Sequence, residues 1–327
     1  MKPVAVIPVA GAGTRLRPHT HTIPKALLEV AGKPILAHIL DQVAETDPER
    51  VVLVIGPGAQ GQQIRQWAEK QRGLRFSFAL QERPLGLGHA VLQAKNEVGT
   101  APVLIVLGDT IAIAALRDLV SDGSKVGVRE VEDPRRFGVA NVEGGRITGL
   151  VEKPEHPTSH LAVVGVYYLT NAPLLFSSLE AVEREGKRTK GEIQLTDGLQ
   201  RMIEEGEVLR PFSVEAWYDC GKTETLLETN RALLDRSAGS VTRPGVVVLP
   251  PVAIDETADV VHSVVGPHAS IGPGARVHRA VVRNSIISQG ATVENVLLDL
   301  SVVGENAVVR GAYQRLNVGG SSEVESS

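Results

Sequence analysis

Several residue types are scarce in this 327-residue chain, and each scarcity excludes a class of protein. A single cysteine, Cys220, cannot form an internal disulfide, which excludes a small domain held together by disulfides. A location in the reducing cytoplasm is predicted. No apolar run approaches the roughly 18 residues of a membrane-spanning helix. The first residues form a core-type strand and lack the pattern of a secretory signal. With a formal net charge of −4, nothing indicates binding to nucleic acid or to an anionic membrane.

Aromatic residues make up only 3% of the chain, whereas 43% of the residues are hydrophobic and 33 are glycines. This composition favours an α/β sheet of aliphatic residues together with a turn-rich segment. The chain is long enough to bury one large core and a smaller second one.

Strands and helices alternate over the first third of the sequence. Short apolar runs predict strands at residues 4–10, 51–55, 76–80 and 102–110, and helical spacing occurs over residues 35–44 and 60–70. This alternation predicts parallel strands joined by right-handed crossovers. Because ligands of such sheets bind at the carboxyl ends of the strands, we expect the functional residues to follow directly after strands.

A glycine loop follows the first predicted strand. Gly11 and Gly13 end the apolar run there, and a strand followed by a glycine turn favours a phosphate-binding loop. The loop and its flank carry a single acid, Glu29, against four basic residues, namely Arg15, Arg17, Lys25 and Lys33. A Walker loop is excluded because no Lys-Ser or Lys-Thr follows a glycine at its spacing, and the dinucleotide fingerprint would need a glycine at Leu16. An anionic ligand other than those two classes is therefore expected.

The pattern that remains is G-x-G-T-R-L-x-P, with a Pro-Lys pair seven and eight residues beyond Leu16. It is followed in order by P-x-G-L-G-H-A near residue 86, G-D-T at residues 108–110, FGVA with VEKP about a dozen residues later, and W-x-D-x-G at residues 217–221. In this order the motifs resemble the sugar-nucleotide pyrophosphorylases, which join a sugar-1-phosphate to a nucleoside triphosphate. The resemblance covers residues 1 to about 230.

The resemblance implies roles for residues of the first loop and of the segment near Gly86. Arg15 and Lys25 are expected to be catalytic, and the form P-x-G-L-G-H-A is closest to uridylyl- and thymidylyltransferases. The chain departs from the family at Ala10-Gly11-Ala12, where two adjacent glycines are common, so the base preference stays open. The residues implied to bind the nucleotide are Ala10, Gly11, Gly13, Thr14, Gln81, Pro84 and Gly86.

Two carboxylates lie at predicted strand ends, far apart in the sequence. Asp109 follows an apolar run, and oxygen ligands at such a place suit Mg²⁺ bound to substrate phosphates. The resemblance pairs Asp109 with Asp219 of W-x-D-x-G as the two magnesium ligands. The alternative for each is a turn or helix-capping aspartate.

The resemblance also implies a site for the sugar phosphate. Glu152 can accept hydrogen bonds from sugar hydroxyls and Lys153 can neutralise a phosphate. A glycine within an apolar strand, Gly165, indicates close approach of a ligand or another backbone segment. The residues implied to contact the sugar phosphate are Gly138, Glu152, Lys153, Gly165 and Glu192.

A repeat occupies the end of the chain. Residues 265–280, 281–296 and 297–312 stack as three copies of sixteen, so that Ile271, Ile287 and Val303 coincide, as do Val277, Val293 and Val309, and Ala275, Ala291 and Ala307. Hexapeptide periodicity of this kind predicts a parallel β-helix whose coils bury their apolar edges by stacking. It resembles the left-handed β-helix of longer pyrophosphorylases and of hexapeptide acyltransferases. Residues 249–264 fit the repeat only in part and are predicted to form an initial capping coil.

The predicted fold is therefore a Rossmann-like, mostly parallel α/β nucleotidyltransferase domain over residues 1–236, a linker over 237–248, a short left-handed β-helix over 249–312 and a tail over 313–327. The expected substrates are dTTP or UTP and glucose-1-phosphate, with Mg²⁺ as cofactor and self-association through exposed coil edges. The alternatives are a guanylyltransferase acting on mannose-1-phosphate, a non-catalytic regulatory relative such as a translation-initiation exchange factor, and a bifunctional enzyme whose coils transfer acyl groups.

Overall fold

The computed structural model describes residues 1–237 and 242–311, and the chain divides into two compact units. The first unit is Met1–Thr229, and the second begins at Asn230, within the last helix. The predicted tail, residues 313–327, lies outside the described residues, as do four residues of the predicted linker. None of the described helices is long and apolar enough to cross a membrane.

The first unit alternates strands and helices from its first residues. Its strands are β1 Val4–Pro8, β2 Glu29–Val30, β3 Lys33–Pro34, β4 Arg50–Ile55, β5 Phe76–Leu80, β6 Val103–Val106, β7 Thr110–Ile113, β8 Ser124–Glu130, β9 Gly138–Glu143, β10 Arg146–Glu152, β11 Leu161–Leu169, β12 Leu209–Ser213 and β13 Ala216–Asp219. The helices are α1 Ile35–Ala44, α2 Gly58–Glu69, α3 Leu87–Gln93, α4 Lys95–Val98, α5 Leu116–Leu119, α6 Ala172–Arg184, α7 Leu195–Glu204 and α8 Thr223–Arg236.

The main sheet is parallel in its first half and mixed in its second. Its order is β10-β9-β11-β6-β1-β4-β5, with β8 paired to β11 and β12 paired to β8. Strands β6, β1, β4 and β5 pair in parallel, as the βα alternation predicts. Strand β11 instead pairs antiparallel with β6, β8 and β9, because the chain between β8 and β11 returns through the β9–β10 hairpin without a crossover helix.

The strand at the centre of the parallel half is buried along almost its whole length. Val4, Ala5, Val6 and Ile7 of β1 are 0–1% exposed, which is why the strand reads as a continuous apolar run without alternation. Strands β1, β4, β5 and β6 end at the same edge of the sheet, so the glycine loop, Gln81 and Asp109 follow neighbouring strand ends.

The second unit is a short parallel β-helix of the left-handed class that the hexapeptide period predicts. Its strands are β14 Val247–Val248, β15 Val252–Ile254, β16 Asp259–Val261, β17 Val264–Val265, β18 Ala269–Ile271, β19 Arg276–His278, β20 Val281–Arg283, β21 Ile286–Ile287, β22 Thr292–Glu294, β23 Leu297–Asp299, β24 Val302–Val303 and β25 Val308–Arg310. They form three four-stranded sheets, β14-β17-β20-β23, β15-β18-β21-β24 and β16-β19-β22-β25. The first of these strands, β14, lies within the segment predicted to be a linker.

Two of the predicted columns stack in the predicted register. Ile271 pairs with Ile287 and Ile287 with Val303, and the column of Val277, Val293 and Val309 pairs likewise. In the first sheet the register of sixteen is wrong between β17 and β20, where Val265 pairs with Val282, and is confirmed between β20 and β23, where Val281 pairs with Leu297. The corner between β17 and β18 holds one residue more than the next corner, so the first two coils are seventeen residues long. The segment from residue 249, predicted to fit only in part, belongs to a complete coil with three paired strands.

Candidate active site

The glycine loop after β1 is closed by its own side chains. Gly13 has a φ of +58°, and a Cβ at Gly13 would lie 3.0 Å from Thr20 Cγ2 and 3.1 Å from Lys25 Cβ. Thr20 Oγ1 donates a hydrogen bond of 2.8 Å to the Gly13 carbonyl oxygen. A short 3-10 turn, Thr14–Leu16, begins directly after this glycine and positions Arg15. The loop therefore needs glycine at residue 13 for both its backbone angle and its packing.

The carboxyl ends of β1 and β6 are in direct contact. A Cβ at Gly108 would lie 2.4 Å from Val9 Cγ1 and 2.6 Å from the Pro8 carbonyl oxygen. Only glycine allows the backbones to approach this closely. Asp109 follows immediately and is thereby held beside the start of the glycine loop.

Lys25 and Asp109 form an ion pair at this junction. Lys25 Nζ lies 2.8 Å from Asp109 Oδ2, and the lysine side chain is only 10% exposed. Burial raises the pKa of the Asp109 carboxyl, but the charge and hydrogen bond of Lys25, a hydrogen bond from Thr110 and the charge of Arg15 together hold that pKa below its usual range. Asp109 is therefore an anion at neutral pH.

An antiparallel two-stranded ladder brings the second carboxylate to the first. Strand β13 pairs with β7 so that Asp219 lies opposite Thr110, and the Cys220 amide donates to the Asp109 carbonyl oxygen at 3.0 Å. A Cβ at Gly221 would lie 2.8 Å from Asp219 Oδ1 and 3.0 Å from Arg15 Nη2. Arg15, Asp109 and Asp219, which are remote in the sequence, therefore converge.

The donor set at this point suits a hard divalent cation that also binds substrate. Within residues 1–237 and 242–311 no group of three or more His, Cys, Asp or Glu is placed to hold a metal ion, so the protein offers two carboxylates and no closed cage. Mg²⁺ is commonly held by one or two carboxylates together with phosphate oxygens and waters. Cys220 is no candidate ligand, since burial raises the pKa of its thiol to about 12.

Two cavities of the first unit meet at this point. The smaller has a volume of about 410 Å³ and the larger about 1040 Å³, and both are lined by Arg15, Leu107 and Asp109. A ligand that passed from one cavity into the other would therefore pass beside Arg15 and Asp109.

The smaller cavity collects most of the residues predicted to bind a nucleotide. Those that line it are Ala10, Gly11, Gln81, Pro84 and Gly86. Gly13 and Thr14 lie in the loop behind it and are not part of its lining. Glu192, predicted to contact the sugar, lines this smaller cavity and not the larger one.

The amide of Gln81 has a fixed orientation in this cavity. Its nitrogen lies 3.1 Å from the Gly86 carbonyl oxygen, which can only accept, and 3.0 Å from His89 Nδ1. Burial lowers the pKa of His89, so its imidazole is neutral at pH 7 and Nδ1 can accept from the amide. The nitrogen of Gln81 is thus engaged within the protein, and its oxygen is left as the acceptor.

Gly86 joins the Gln81 segment to the chain before α7. It has a φ of +114°, and a Cβ there would lie 2.6 Å from the Ile193 carbonyl oxygen and 2.7 Å from Glu192 Cβ. The Gly88 amide donates to the same carbonyl oxygen at 2.8 Å. No other residue fits at this crossing of two backbones.

The larger cavity contains part of the predicted sugar-phosphate set. Lys153 and Gly165 line it, whereas Gly138 and Glu152 lie behind its surface. The Glu152 side chain is 10% exposed, accepts a 2.8 Å hydrogen bond from Thr196 Oγ1 and lies 3.1 Å from Lys153 Nζ. Lys153 itself has a φ of +44°, a strained conformation of the kind found at functional sites.

Sequence reasoning missed several basic residues of the larger cavity. Arg135 and Arg136 approach it from the 3-10 turn Pro134–Arg136 before β9, Lys190 from the chain between α6 and α7, and Lys222 from the residue before α8. The adjacent arginines directly before FGVA and the lysine directly after W-x-D-x-G were signals that could have marked three of these positions.

The chain was compared with families, proteins and solved structures. The profile of the nucleotidyl transferase family matches residues 4–236. A glucose-1-phosphate thymidylyltransferase of Streptomyces antibioticus is 34% identical over 303 residues, covering 84% of this chain and 83% of that protein. A low-salt glycan biosynthesis nucleotidyltransferase of Haloferax volcanii is 35% identical over 234 residues, covering 69% of this chain and 64% of that protein.

Solved structures agree with these relatives. A UDP-glucose pyrophosphorylase complexed with UDP-glucose superposes with a TM-score of 0.61 at 30% identity, covering 72% of this chain and 100% of that chain. The UDP-glucose pyrophosphorylase from Acinetobacter baumanii gives 0.61 at 25% identity, with coverage of 73% and 95%. The order of motifs, the fold and these likenesses lead to one conclusion: the chain belongs to the nucleotidyl transferase family and is an enzyme of the sugar-nucleotide pyrophosphorylase type.

Proposed function

We propose that this enzyme transfers a nucleotidyl group from dTTP or UTP to glucose-1-phosphate, forming a nucleoside diphosphate glucose and pyrophosphate. The observation that carries the proposal is the meeting of the two cavities at Arg15 and Asp109. A nucleoside in the smaller cavity and a sugar phosphate in the larger one would place an α-phosphorus and an attacking oxygen at that junction.

The chemistry asks little of the protein beyond alignment and charge. The attacking oxygen of a sugar-1-phosphate is already an anion, so no general base is needed. Lys25 is only 10% exposed and adjoins the junction, where it would neutralise the α-phosphate. Arg15 would stabilise the departing pyrophosphate, and Lys153, which lines the larger cavity, would hold the incoming phosphate.

Asp109 and Asp219 would hold the Mg²⁺ of this reaction. The ladder between β7 and β13 brings Asp219, which lines the larger cavity, beside Asp109, and the lowered pKa of Asp109 keeps it ionised for a cation. Magnesium, when bound, would neutralise the triphosphate and orient its oxygens.

The orientation of Gln81 supports a uracil or thymine base. Its amide oxygen is the free acceptor, and uracil and thymine present a ring imide N–H to such an acceptor, whereas cytosine and adenine could donate to it only from their exocyclic amino groups. Guanine also presents an N–H donor, so GTP is the competitor that a measurement must exclude. For the sugar, glucose follows the names of the thymidylyl- and uridylyltransferase relatives.

The test is pyrophosphate release by the purified chain with Mg²⁺, crossing dTTP, UTP, GTP, CTP and ATP against glucose-, mannose-, galactose- and N-acetylglucosamine-1-phosphates. We expect turnover with glucose-1-phosphate and with dTTP or UTP, and at least a 100-fold fall in kcat for Arg15→Ala, the order that removal of one transition-state charge contact produces.

Turnover confined to GTP and mannose-1-phosphate would replace the proposed substrates with the guanylyltransferase alternative. Nucleotide binding without turnover for any pair would favour a regulatory relative instead. Self-association through the β-helix and a cytoplasmic location stay predictions.

A further inference from the structure

The larger cavity contains more positive charge than its carboxylates balance. Six basic side chains and three carboxylates line it. Several of the basic groups are already paired: Arg135 with Asp133 at 2.8 Å, Lys153 with Glu152 at 3.1 Å and Lys190 with Glu155 at 3.6 Å. Within the described part of the chain, Arg15, Arg136 and Lys222 form no ion pair, and their charges are available to a ligand.

Lys222 belongs to the wall that carries Arg15 and Asp219. It directly follows Gly221, whose Cβ position lies 2.8 Å from Asp219 Oδ1 and 3.0 Å from Arg15 Nη2. Its backbone is fixed by Thr225, whose hydroxyl accepts from the Lys222 amide and donates to the Lys222 carbonyl oxygen, each at 3.2 Å. Both residues line the cavity.

The second wall comes from another part of the fold. Arg136 comes from the 3-10 turn before β9 and Phe137 follows that turn, whereas Lys153 directly follows β10 and Gly165 lies in β11. Arg15 and Asp109, which the two cavities share, lie on the first wall together with Lys222. Leu107, which the two cavities also share, contacts Gly165 of the second wall, so both walls border the junction.

In-line displacement requires the attacking and leaving oxygens to lie on opposite sides of the α-phosphorus. The proposed function assigns the incoming phosphate to Lys153 and the departing pyrophosphate to Arg15, and Lys222 is the cation next to Arg15 on the first wall. We infer that Lys222 binds the β- and γ-phosphates of the nucleotide and, after transfer, the pyrophosphate. The inference rests on the proposed function and adds a residue to it.

The step balances without a proton. The sugar-phosphate oxygen forms a bond to the α-phosphorus while the bond from that phosphorus to the bridging oxygen breaks, and its electron pair leaves with pyrophosphate. Lys222 supplies a fixed positive charge where that negative charge accumulates.

The test compares Lys222→Met with Lys222→Arg and with Lys70→Met, an exposed lysine that lines neither cavity. For Lys222→Met we expect KM for the triphosphate, and for pyrophosphate in the reverse reaction, to rise roughly 10- to 100-fold, as for loss of a charge-assisted hydrogen bond. KM for the sugar-1-phosphate should change by less than about 2-fold. Lys222→Arg should restore most of the affinity, and Lys70→Met should match the unchanged protein.

A binding measurement separates this inference from the proposed function. Titration of pyrophosphate with Mg²⁺ into the full chain, followed by calorimetry, needs no turnover and no choice of base or sugar. Weaker binding by Lys222→Met alone supports the inference, even if the substrate panel fails. Equal binding by Lys222→Met, no binding by the unchanged protein, or a rise confined to KM of the sugar-1-phosphate would overturn it.

Discussion

Gly165 shows what a single residue contributes to the site. It has a φ of +84°, and a Cβ there would lie 2.7 Å from Leu107 Cδ1, in the side chain that both cavities share. The register of β11 against β8 shifts between Val163 and Tyr167, around this glycine. Glycine is therefore needed for the backbone angle and for the space that Leu107 fills.

Gly165→Ala separates these two needs when it is compared with Gly186→Ala. Gly186 has a similar φ of +70°, but nothing lies within 4 Å of its Cβ position. We expect Gly186→Ala to lower the free energy of unfolding by about 1–2 kcal/mol through backbone strain. Gly165→Ala should lose about 1–3 kcal/mol more because Leu107 must move, and its kcat should fall.

The two alanine variants are compared by urea unfolding and by steady-state turnover. Equal losses of stability and unchanged turnover for both variants would mean that the contact with Leu107 does not matter to the site.

At single positions, the order of the motifs predicted which residues share a site, but it did not predict the contacts that they make there. The sequence placed Arg15, Lys25 and Asp109 in one site, and the structure brings them together. It could not predict that Glu152 binds Thr196 behind the cavity, because that contact depends on how α7 packs against β10. Lys222 and Arg136 were missed because a basic residue next to a motif is usually a solvated surface residue.

At the scale of elements, the ladder of β7 and β13 was the hardest feature to anticipate. Each strand has four residues, and the pairing joins segments about a hundred residues apart. The two strands pair antiparallel, unlike the parallel strands β1, β4, β5 and β6. Strand periodicity gives no partner for such short runs. Yet this ladder brings Asp219 next to Asp109, which motif order alone could only imply.

The coils were predictable in period but not at every corner. The sixteen-residue spacing reproduces the columns of Ile271 and Val277, because buried aliphatic residues must stack. The first two coils each insert one residue at a corner that contains proline, at Pro250 and Pro251 and at Pro267. A strict sixteen-residue period does not predict an insertion there.

A corner of the last coil gives a test of stability. Leu300 is 70% exposed with a φ of +48°, a conformation that leucine adopts at a cost. One coil earlier the same corner holds Asn284, with a φ of +45° and a 2.8 Å hydrogen bond to Asp299. Since asparagine tolerates this region, Leu300→Asn should stabilise the β-helix by about 1 kcal/mol.

Leu297→Asn is the matched control for this change. Leu297 is 78% exposed but lies in the extended strand β23, so the control loses a surface leucine without any relief of backbone strain. Calorimetric unfolding of the full chain should show a higher transition temperature for Leu300→Asn than for the unchanged protein. Leu297→Asn should not raise the transition temperature. A lower transition for Leu300→Asn would mean that the leucine makes a stabilising contact that outweighs its strain.

At the scale of the whole molecule, the division into two units follows the composition of the sequence. The βα alternation ends with α8, within which the second unit begins at Asn230, and the hexapeptide period follows this helix, so each unit has a sequence pattern of its own. What the patterns could not give is the pair of cavities in the first unit, because their walls come from strand ends and loops that meet only in three dimensions.

The central claim is that both substrates are bound together and that the nucleotidyl group passes directly between the two cavities. It is tested most directly by exchange of labelled pyrophosphate into the matched nucleoside triphosphate, with and without sugar-1-phosphate. Direct transfer predicts exchange only when the sugar-1-phosphate is present, because the reverse reaction needs the nucleoside diphosphate sugar. Exchange without any sugar-1-phosphate would reveal a covalent nucleotidyl-protein and would contradict the account.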